Sequence, residues 1–320
     1  MKKITKIIFV SLLGLLIFSC SDIFEEDISE DIITAVNPLD GDIIEGNTVQ
    51  FLWDPIEGAD DYTIQVYSSN YLLVDSTVTS PPFQITINTG NYEWRVKGVN
   101  FAYQTQFNFP NSFEVIASVD LTNQLVVLQS PSDNLYTNNT SIIFTWDSLE
   151  NANNYYFELQ KVTTSGNTTI FLEEGITSTS ISLDNTVITE DAEYLWRVKA
   201  INDTSETSYT SKTFFIDTVA PATPSLITPA FEEEFLIGDE INFSWNFGAD
   251  SGVINSTITS VYDISSDINF STIIENDSML ITNFNYIFNT TGTYYWRVRG
   301  EDEAGNIGAY NLNGKVIINE

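Results

Sequence analysis

The stretch YEWRVKGVN, residues 92 to 100, decides the fold of this chain. It recurs with small changes as YLWRVKAIN at residues 194 to 202 and as YYWRVRGED at residues 294 to 302. Read with a period of two, Tyr, Trp and Val fall on one face of the stretch, while the Arg and Lys positions fall on the other. Each copy is therefore predicted to be a β-strand with one face in a core and the other face toward water.

The six tryptophans fall into three pairs, and equivalent members are about one hundred residues apart. That period is far longer than the repeats of solenoids and propellers, so each repeat is predicted to be a whole domain. The pairs are Trp53 with Trp94, Trp146 with Trp196, and Trp245 with Trp296.

A second alternating run surrounds the first tryptophan of each pair, and a third begins at Tyr62 and Tyr155 in the first two repeats. The third repeat delays this run to Tyr262, which leaves residues 248–256 as an inserted loop. Short strands between Gly, Asn, Asp and Ser clusters indicate an all-β chain of antiparallel sandwiches.

The run FLWDP at residues 51–55, the tyrosine nine residues after its Trp, and YEWRVKGVN resemble the second, third and sixth strands of fibronectin type III domains. The resemblance covers nearly all of residues 32–320. It implies seven strands in two sheets, with the first tryptophan of each repeat packed between them. It also implies a tyrosine corner in each repeat, at Tyr92, Tyr194 and Tyr294. The third repeat, with DTVAP at 217–221 and DEAGN at 302–306, also resembles bacterial immunoglobulin-like modules.

The predicted organisation is a signal peptide (residues 1–19), an acidic tether (20–31), two fibronectin type III-like domains (32–117 and 124–217) and a third domain that is fibronectin type III-like or immunoglobulin-like (221–320). The linker before the third domain is rich in proline, which predicts a stiff joint. The tandem is expected to form a rod.

The N-terminus has a basic start and then an uncharged run over residues 7–19, too short to span a bilayer. Cys20, the only cysteine in the sequence, follows this run, and the context LIFSC resembles the lipobox of bacterial lipoproteins. The resemblance implies cleavage before Cys20 and acylation of that residue, and two or three acyl chains anchor a protein stably. An ordinary cleaved signal with an unmodified cysteine remains the alternative.

The segment SDIFEED after Cys20 resembles the acidic tract that directs some Bacteroidota lipoproteins to the outer face of the outer membrane. A solvated acidic tether is the alternative, because blocks of like charge commonly are disordered spacers. The expected location is the outer membrane, lipid-anchored and exposed on the cell surface. With 44 acidic and 12 basic residues the net charge is −32, which excludes nucleic acid as a partner.

No catalytic site and no cofactor are predicted. Histidine is absent from the sequence, which removes the Ser-His-Asp and Cys-His schemes and the commonest zinc ligand. The tripeptide Asp250-Ser251-Gly252 matches an aspartic-protease motif, but that chemistry needs a second carboxylate of the same kind. We interpret it as a turn.

Calcium is an alternative to plain solvation of the acidic loops. By similarity to sandwich domains that bind ions at their junctions, the ligands would be Asp217, Glu301, Asp302 and Glu303. None of them lies in a DxDxDG loop, and solvation is the favoured interpretation, so no metal is predicted.

The parity of the strands places the tryptophans in the core and not on a sugar-stacking platform. Loop aromatics are better candidates for contact with a partner: Tyr67, Tyr71, Phe101 and Tyr103. All four arginines lie on the outward face of the repeated strand, where pairing with acids on adjacent strands explains them: Arg95, Arg197, Arg297 and Arg299.

The expected function is non-catalytic display of a binding or adhesion surface, with a glycan or protein partner that the sequence leaves open. A polysaccharide-capture lipoprotein of an outer-membrane uptake system and a purely structural spacer are the alternatives. Residues 248–256 of the third repeat are the expected contact surface, presented at the far end of the rod.

Replacing Cys20 with Ser removes the thiol that the lipobox resemblance predicts to be acylated. We expect Cys20→Ser to release the protein from membranes into the aqueous phase of a detergent partition. A variant that still enters the detergent phase like the wild type would show that the anchor is not this lipid.

Overall fold

The computed structural model describes residues 25 to 320, and all of its regular secondary structure is β-strand. The predicted signal peptide and the lipid attachment at Cys20 lie outside the described residues. Within the described range, no helix is long and apolar enough to cross a membrane.

Three pairs of sheets follow the three sequence repeats, and each pair is called a sandwich. The first sandwich contains eight strands: β1 (Ala35–Asn37), β2 (Asp42–Glu45), β3 (Thr48–Trp53), β4 (Asp61–Ser68), β5 (Tyr71–Val78), β6 (Phe83–Thr86), β7 (Gly90–Val99) and β8 (Asn111–Ile116). Its sheets have the orders β1-β3-β6 and β2-β8-β7-β4-β5.

The second sandwich repeats this plan with β9 (Leu128–Ser130), β10 (Leu135–Thr137), β11 (Ile142–Trp146), β12 (Asn154–Lys161), β13 (Thr168–Ile176), β14 (Ser180–Leu183), β15 (Ala192–Ile201) and β16 (Thr210–Ile216). The sheet orders are β14-β11-β9 and β10-β16-β15-β12-β13.

The third sandwich contains β17 (Ser225–Thr228), β18 (Glu233–Leu236), β19 (Glu240–Asn246), β20 (Ile258–Ser265), β21 (Ile273–Met279), β22 (Asn283–Ile287), β23 (Gly292–Asp302) and β24 (Asn311–Asn319). Its sheets have the orders β17-β19-β22 and β18-β24-β23-β20-β21. The all-β fold of tandem antiparallel sandwiches is confirmed.

Each sandwich has eight strands where seven were expected, because the first strand is divided between the two sheets. In the second sandwich β9 pairs antiparallel with β11, whereas β10 pairs parallel with β16. In the third, β17 and β18 divide in the same way between β19 and β24. Pro131 and Pro229 stand between the two halves, and a proline has no N–H to continue a ladder.

The repeated stretch forms β7, β15 and β23, each flanked by strands on both sides within a five-stranded sheet. Strand β15 alternates between buried and half-buried residues along its whole length, as the period of two predicts. All six tryptophans are at most 3% exposed, which confirms the core assignment. Tyr194 Oη donates to the carbonyl of Glu190 at 2.8 Å and Tyr294 Oη to that of Thr290 at 3.0 Å, the contacts of a tyrosine corner.

Edge-to-face aromatic contacts connect the two sheets of each sandwich. The Phe51 ring lies 5.1 Å from Trp94, the Phe144 ring 5.3 Å from Trp196, and the Phe243 ring 5.1 Å from Trp296. In each case the Phe comes from the strand of the first tryptophan and the partner Trp from the repeated stretch. Such pairs contribute about 0.5 to 1.5 kcal/mol beyond the area they bury.

The chain divides into two compact units. One contains Ile44–Val49, Ile85–Thr89 and Val115–Glu320, and the other contains the remaining described residues up to Glu114. The second and third sandwiches therefore share a unit, although the sequence separates them by a linker.

The described part of the predicted acidic tether, residues 25–31, is not simply solvated. Ile28 is completely buried and Ile33 is 1% exposed. The Asn100 side-chain amide donates to the backbone carbonyl of Glu26 at 2.9 Å. The prediction of a tether over residues 20–31 was wrong for this part because an apolar side chain within the acidic run finds a core position.

Removing one buried indole tests the core directly. We expect Trp94→Ala to lower the free energy of unfolding of the first sandwich by about 3 to 5 kcal/mol, because a large cavity replaces the ring. Denaturant unfolding followed by circular dichroism measures this change.

The matched control is Phe101→Ala, since that ring is 93% exposed. This variant should stay within about 0.5 kcal/mol of the wild type. Equal melting of Trp94→Ala and the wild type, or free quenching of the indoles by iodide, would contradict the burial of the tryptophans.

Candidate functional site

Three aspartates meet where the third sandwich receives the chain from the second. Asp217 follows the last residue of β16, Asp250 lies in the loop after β19, and Asp302 ends β23. One carboxylate oxygen of each lies within 4.8 Å of those of the other two. These three residues are called the acidic cluster.

Backbone N–H groups fix the orientation of each carboxylate. Asp217 Oδ1 accepts from Val219 N at 3.0 Å, and Asp302 Oδ1 accepts from Asn306 N at 2.7 Å. Asp250 Oδ2 accepts from Ser256 N at 3.1 Å. The carboxylates are therefore held in place by the turns that contain them.

Asp217 is the most unusual member of the acidic cluster. It is 0% exposed, and its Oδ2 has no hydrogen-bond partner among the described residues. Burial raises the pKa of the Asp217 carboxyl, and the nearby charges of Asp250 and Asp302 raise it further. An isolated buried carboxylate oxygen is costly, so this position requires a compensating group.

The structure brings together two of the four acids that the sequence proposed as calcium ligands. Glu301 lies 3.5 Å from Arg299 Nη2 in an ion pair, and Glu303 is exposed. Asp250 was missed as a ligand because its tripeptide was assigned to a turn. That assignment was correct, since Gly252 and Ser256 donate to its carboxylate, but the turn also points Asp250 toward Asp217.

The inserted loop, residues 248–256, does not lie at the far end of the third sandwich, so the expected position of the contact surface was wrong. The Ala222 N–H donates to the Ala249 carbonyl at 2.9 Å, beside the linker. A Cβ on Gly248 would lie 1.5 Å from the Ala222 carbonyl oxygen, so the two backbones touch. The loop precedes Ile258, which pairs with Asp302 at the end where the linker arrives.

The arginines of the repeated strand are covered by aromatic rings as well as acids. Arg197 contacts Glu158 at 2.6 Å and lies 4.3 Å from the centre of the Tyr209 ring. Arg297 contacts Asp263 at 2.6 Å, and its guanidinium lies 4.2 Å from the centre of the Phe270 ring and 4.0 Å from that of Tyr310. The expected acid pairing therefore holds for these two residues.

Arg95 differs, because its partner on the adjacent strand is the Gln65 amide oxygen, 2.7 Å from Nη2. The Phe107 ring lies 4.4 Å from its guanidinium. The sequence contained a signal for these rings: Phe107, Tyr209 and Tyr310 all follow the strand tryptophan by 13 or 14 residues.

The loop aromatics do not form one recognisable platform. Tyr67 belongs to the Arg95 stack, since its hydroxyl accepts from Arg95 Nη2 at 2.8 Å. Tyr71 is 75% and Phe101 is 93% exposed, while Tyr103 is 39% exposed. Scattered exposed rings of this kind are normal on protein surfaces.

An apolar cleft of about 350 Å³ lies on the five-stranded sheet of the third sandwich. It is called the third-sandwich cleft. Its floor includes Gly314, whose backbone lies so close to Trp296 that a Cβ would be 2.3 Å from the Trp296 carbonyl oxygen. Its lining side chains are Phe231, Ile268, Phe270, Tyr295, Leu312 and Lys315.

One carboxylate shapes the loop that carries two of these side chains. Asp267 Oδ1 accepts from the N–H of Asn269 and the hydroxyl of Ser271, and Oδ2 accepts from Thr272 N at 2.8 Å. Phe270 has a φ of 56°, in the left-handed region that non-glycine residues seldom occupy. The loop therefore depends on Asp267 to hold Ile268 and Phe270 at the cleft.

No family model matches the sequence, and no curated protein matches it. Solved structures of fibronectin type III domains are similar to the chain in three dimensions. The FN1–FN3 domains of chicken CNTN1 align at 15% identity and a TM-score of 0.45, over 90% of this chain and 98% of that one. Fibronectin(III)-like modules of CbhA from Clostridium thermocellum align at 16% identity and a TM-score of 0.23, over 58% and 94%. The chicken interferon gamma receptor alpha chain aligns at 15% identity and a TM-score of 0.27, over 60% and 100%.

The loop at Asp267 should respond to pH at an unusually low value. Its hydrogen bonds, the Ser271 hydroxyl first, lower the pKa of Asp267 from 3.8 to about 2. Because the folded pKa is depressed, the stabilisation is complete above about 3.8 and is lost as the pH falls through about 2. We expect the Thr272 amide resonance to move with a midpoint near 2.

The control variant is Asp267→Asn, which removes the titrating group and should abolish this movement. A midpoint near 4 for the Thr272 amide of the wild type would contradict the proposed role of the carboxylate.

Proposed function

We propose that this chain is a non-catalytic lipoprotein, anchored in the outer membrane through Cys20 and exposed on the cell surface, which binds a glycan in the third-sandwich cleft. The lipobox resemblance and the acidic tract support the anchor and the location. The absence of histidine from the sequence supports a non-catalytic role.

The third-sandwich cleft is the single observation that carries the binding role. Phe231 is 64% exposed, Ile268 is 66% exposed and Leu312 is 62% exposed, so three large apolar side chains meet solvent around one depression. Clustered apolar exposure marks interaction sites, whereas single exposed residues do not.

The size and composition of the cleft favour a sugar over a protein partner. Its volume of about 350 Å³ is at the lower end of small-ligand pockets, which are mostly apolar with a few polar groups. A stable protein interface instead needs about 800 Å² on each side. Phe231, Phe270 and Tyr295 line the cleft with aromatic carbon that can pack against C–H groups of a sugar, and the Lys315 ammonium and Tyr295 hydroxyl can donate hydrogen bonds.

The net charge of the chain favours neutral over acidic glycans as the ligand. A net charge of −32 repels acidic polysaccharides at low salt, so the proposed ligand is a neutral glycan. Lys315 does not reverse this preference, because its ammonium is paired with Glu232 at 2.8 Å.

The cleft also stands at a suitable end of its sandwich. Strand β20 runs from Ile258, paired with Asp302 near the linker, to Ser265, paired with Tyr295. The loop that carries Ile268 and Phe270 follows Ser265, so it lies at the opposite end of the sheet from the linker. Loops at the end of a rigid sandwich are common positions for binding residues.

Binding of the full chain to an array of neutral glycans, followed by titration of the best ligand, tests this proposal. We expect Phe231→Ala and Leu312→Ala to weaken binding by at least tenfold with unchanged melting, because both side chains are exposed at the cleft. The matched control is Phe101→Ala, which removes a ring that is 93% exposed, against 64% for Phe231, from the first sandwich and should bind like the wild type.

Three outcomes would contradict the proposal. Glycan binding that survives both cleft substitutions would exclude the cleft as the site. A protein partner lost by the same substitutions, without glycan binding, would favour adhesion to a protein. Turnover of a polymer by the purified chain would overturn the non-catalytic role.

A further inference from the structure

The Asn100 side chain connects two backbone segments of the first sandwich, and the equivalent position differs in the third. It is the ninth residue of the repeated stretch, directly after β7. Its Nδ2 donates to the carbonyl oxygen of Glu26 at 2.9 Å and to that of Gly58 at 2.8 Å. One side-chain amide thus joins the turn after the central strand to the chain before the sandwich and to the loop after β3.

Asn202 occupies the same position in the second sandwich and makes the same two contacts. Its Nδ2 donates to the carbonyl oxygen of Val119 at 2.8 Å and to that of Asn151 at 3.2 Å. The connection is therefore a repeated feature of this chain, and it depends on an N–H donor at this position.

The third sandwich has Asp302 at this position, which has no side-chain N–H. The amide contact to the preceding segment comes from Asn306 instead, whose Nδ2 donates to the carbonyl oxygen of Asp217 at 2.8 Å and to Asp302 Oδ2 at 2.9 Å. A second acid faces it, because Asp250 is the fifth residue after Trp245, just as Gly58 and Asn151 are after the first tryptophans of their repeats. Asp217, from the segment before the sandwich, is the third acid. The amide contact to the preceding segment is thus kept by a different residue, and three carboxylates lie beside it.

Among the described residues, the acidic cluster carries negative charge that no ion pair balances. Asp217 is completely buried and Asp302 is 6% exposed. Asp217 Oδ2 has no hydrogen-bond donor among residues 25 to 320, and one carboxylate oxygen of Asp217 lies within the acidic cluster. Over the same residues, no ion pair with Lys or Arg includes Asp217, Asp250 or Asp302.

We infer that the acidic cluster binds a calcium ion, which supplies the positive charge that no described Lys or Arg brings to these carboxylates and a partner for the buried Asp217 Oδ2. The ion would join Asp217 at the end of the second sandwich to Asp250 and Asp302 of the third. This site is independent of the third-sandwich cleft, which lies at the other end of the same sheet.

The ligand set determines the class of metal. All three donors are carboxylate oxygens, which hard cations prefer, and no Cys or His of the described residues is present to attract zinc or copper. Calcium binds oxygen at about 2.3 to 2.6 Å, so two ligands of one ion lie at most about 5 Å apart, and the three carboxylate oxygens lie within 4.8 Å of one another. Magnesium requires a regular octahedron and usually keeps several waters, so a site with three protein carboxylates favours calcium.

Calorimetric titration of the chelator-treated full chain with calcium chloride and, separately, magnesium chloride tests the inference. We expect one calcium per chain with a Kd on the order of 10⁻⁴ M, as in extracellular calcium modules, and much weaker magnesium binding. Calcium should also raise the melting temperature, because it binds only the folded state.

The decisive variant is Asp302→Asn, which restores the residue of the other two repeats. We expect calcium binding to weaken by at least tenfold, while the calcium-free variant melts at or above the temperature of the calcium-free wild type. Asp250→Asn should weaken binding similarly. The matched control is Glu303→Gln, since Glu303 is an exposed acid on the same turn, and this variant should bind calcium like the wild type.

Four results would contradict the inference. Lack of calcium binding by the wild type excludes the site. Asp302→Asn binding within twofold of the wild type excludes these ligands, and an equal loss in Glu303→Gln indicates general attraction to an acidic surface. Equal affinity for magnesium excludes the assignment to calcium.

Discussion

The central strand of each five-stranded sheet must be covered on both faces, and the rest of each sandwich follows from that requirement. The inner face carries Trp94, Trp196 or Trp296, each at most 1% exposed against a Phe of the facing sheet. The outer face carries an Arg whose guanidinium is covered by a ring from the loop before the last strand. Because the central strand packs on both faces, the strand that carries the Phe must lie against its inner face. The loop that carries the aromatic ring must lie against its outer face.

Sequence periodicity predicts only those features of the fold that depend on the alternation of apolar and polar residues along one strand. The strands, the buried tryptophans and the sandwich class follow from residues two apart on one strand. The division of the first strand between two sheets cannot be predicted in this way, because a proline between the two halves does not specify which sheet each half joins. The same limit explains Ile28: a charge run indicates a tether, but a single isoleucine within it is buried because a core position is available.

Candidate sites were harder to predict because they combine residues distant in sequence. Asp217, Asp250 and Asp302 belong to three separate segments, and only the fold shows that Asp250 joins the other two while Glu301 and Glu303 do not. The third-sandwich cleft had no sequence signal, since Phe231, Phe270 and Leu312 come from different turns and strands. A comparison of equivalent positions among the three repeats did hold a usable signal, in the change from Asn100 and Asn202 to Asp302.

A comparison of the three repeats also shows why residue type changes at the ninth position of the repeated stretch and not at the buried tryptophans. Changing a buried tryptophan removes the packing of a whole sandwich, so that position is the same in all three repeats. The ninth residue of the repeated stretch instead lies where three backbone segments meet, and any group that satisfies their polar atoms can occupy it. An amide does so with its own N–H groups. In the third sandwich Asn306 supplies the N–H groups and three carboxylates lie beside it, so the proposed calcium would act at this junction and not at the other two.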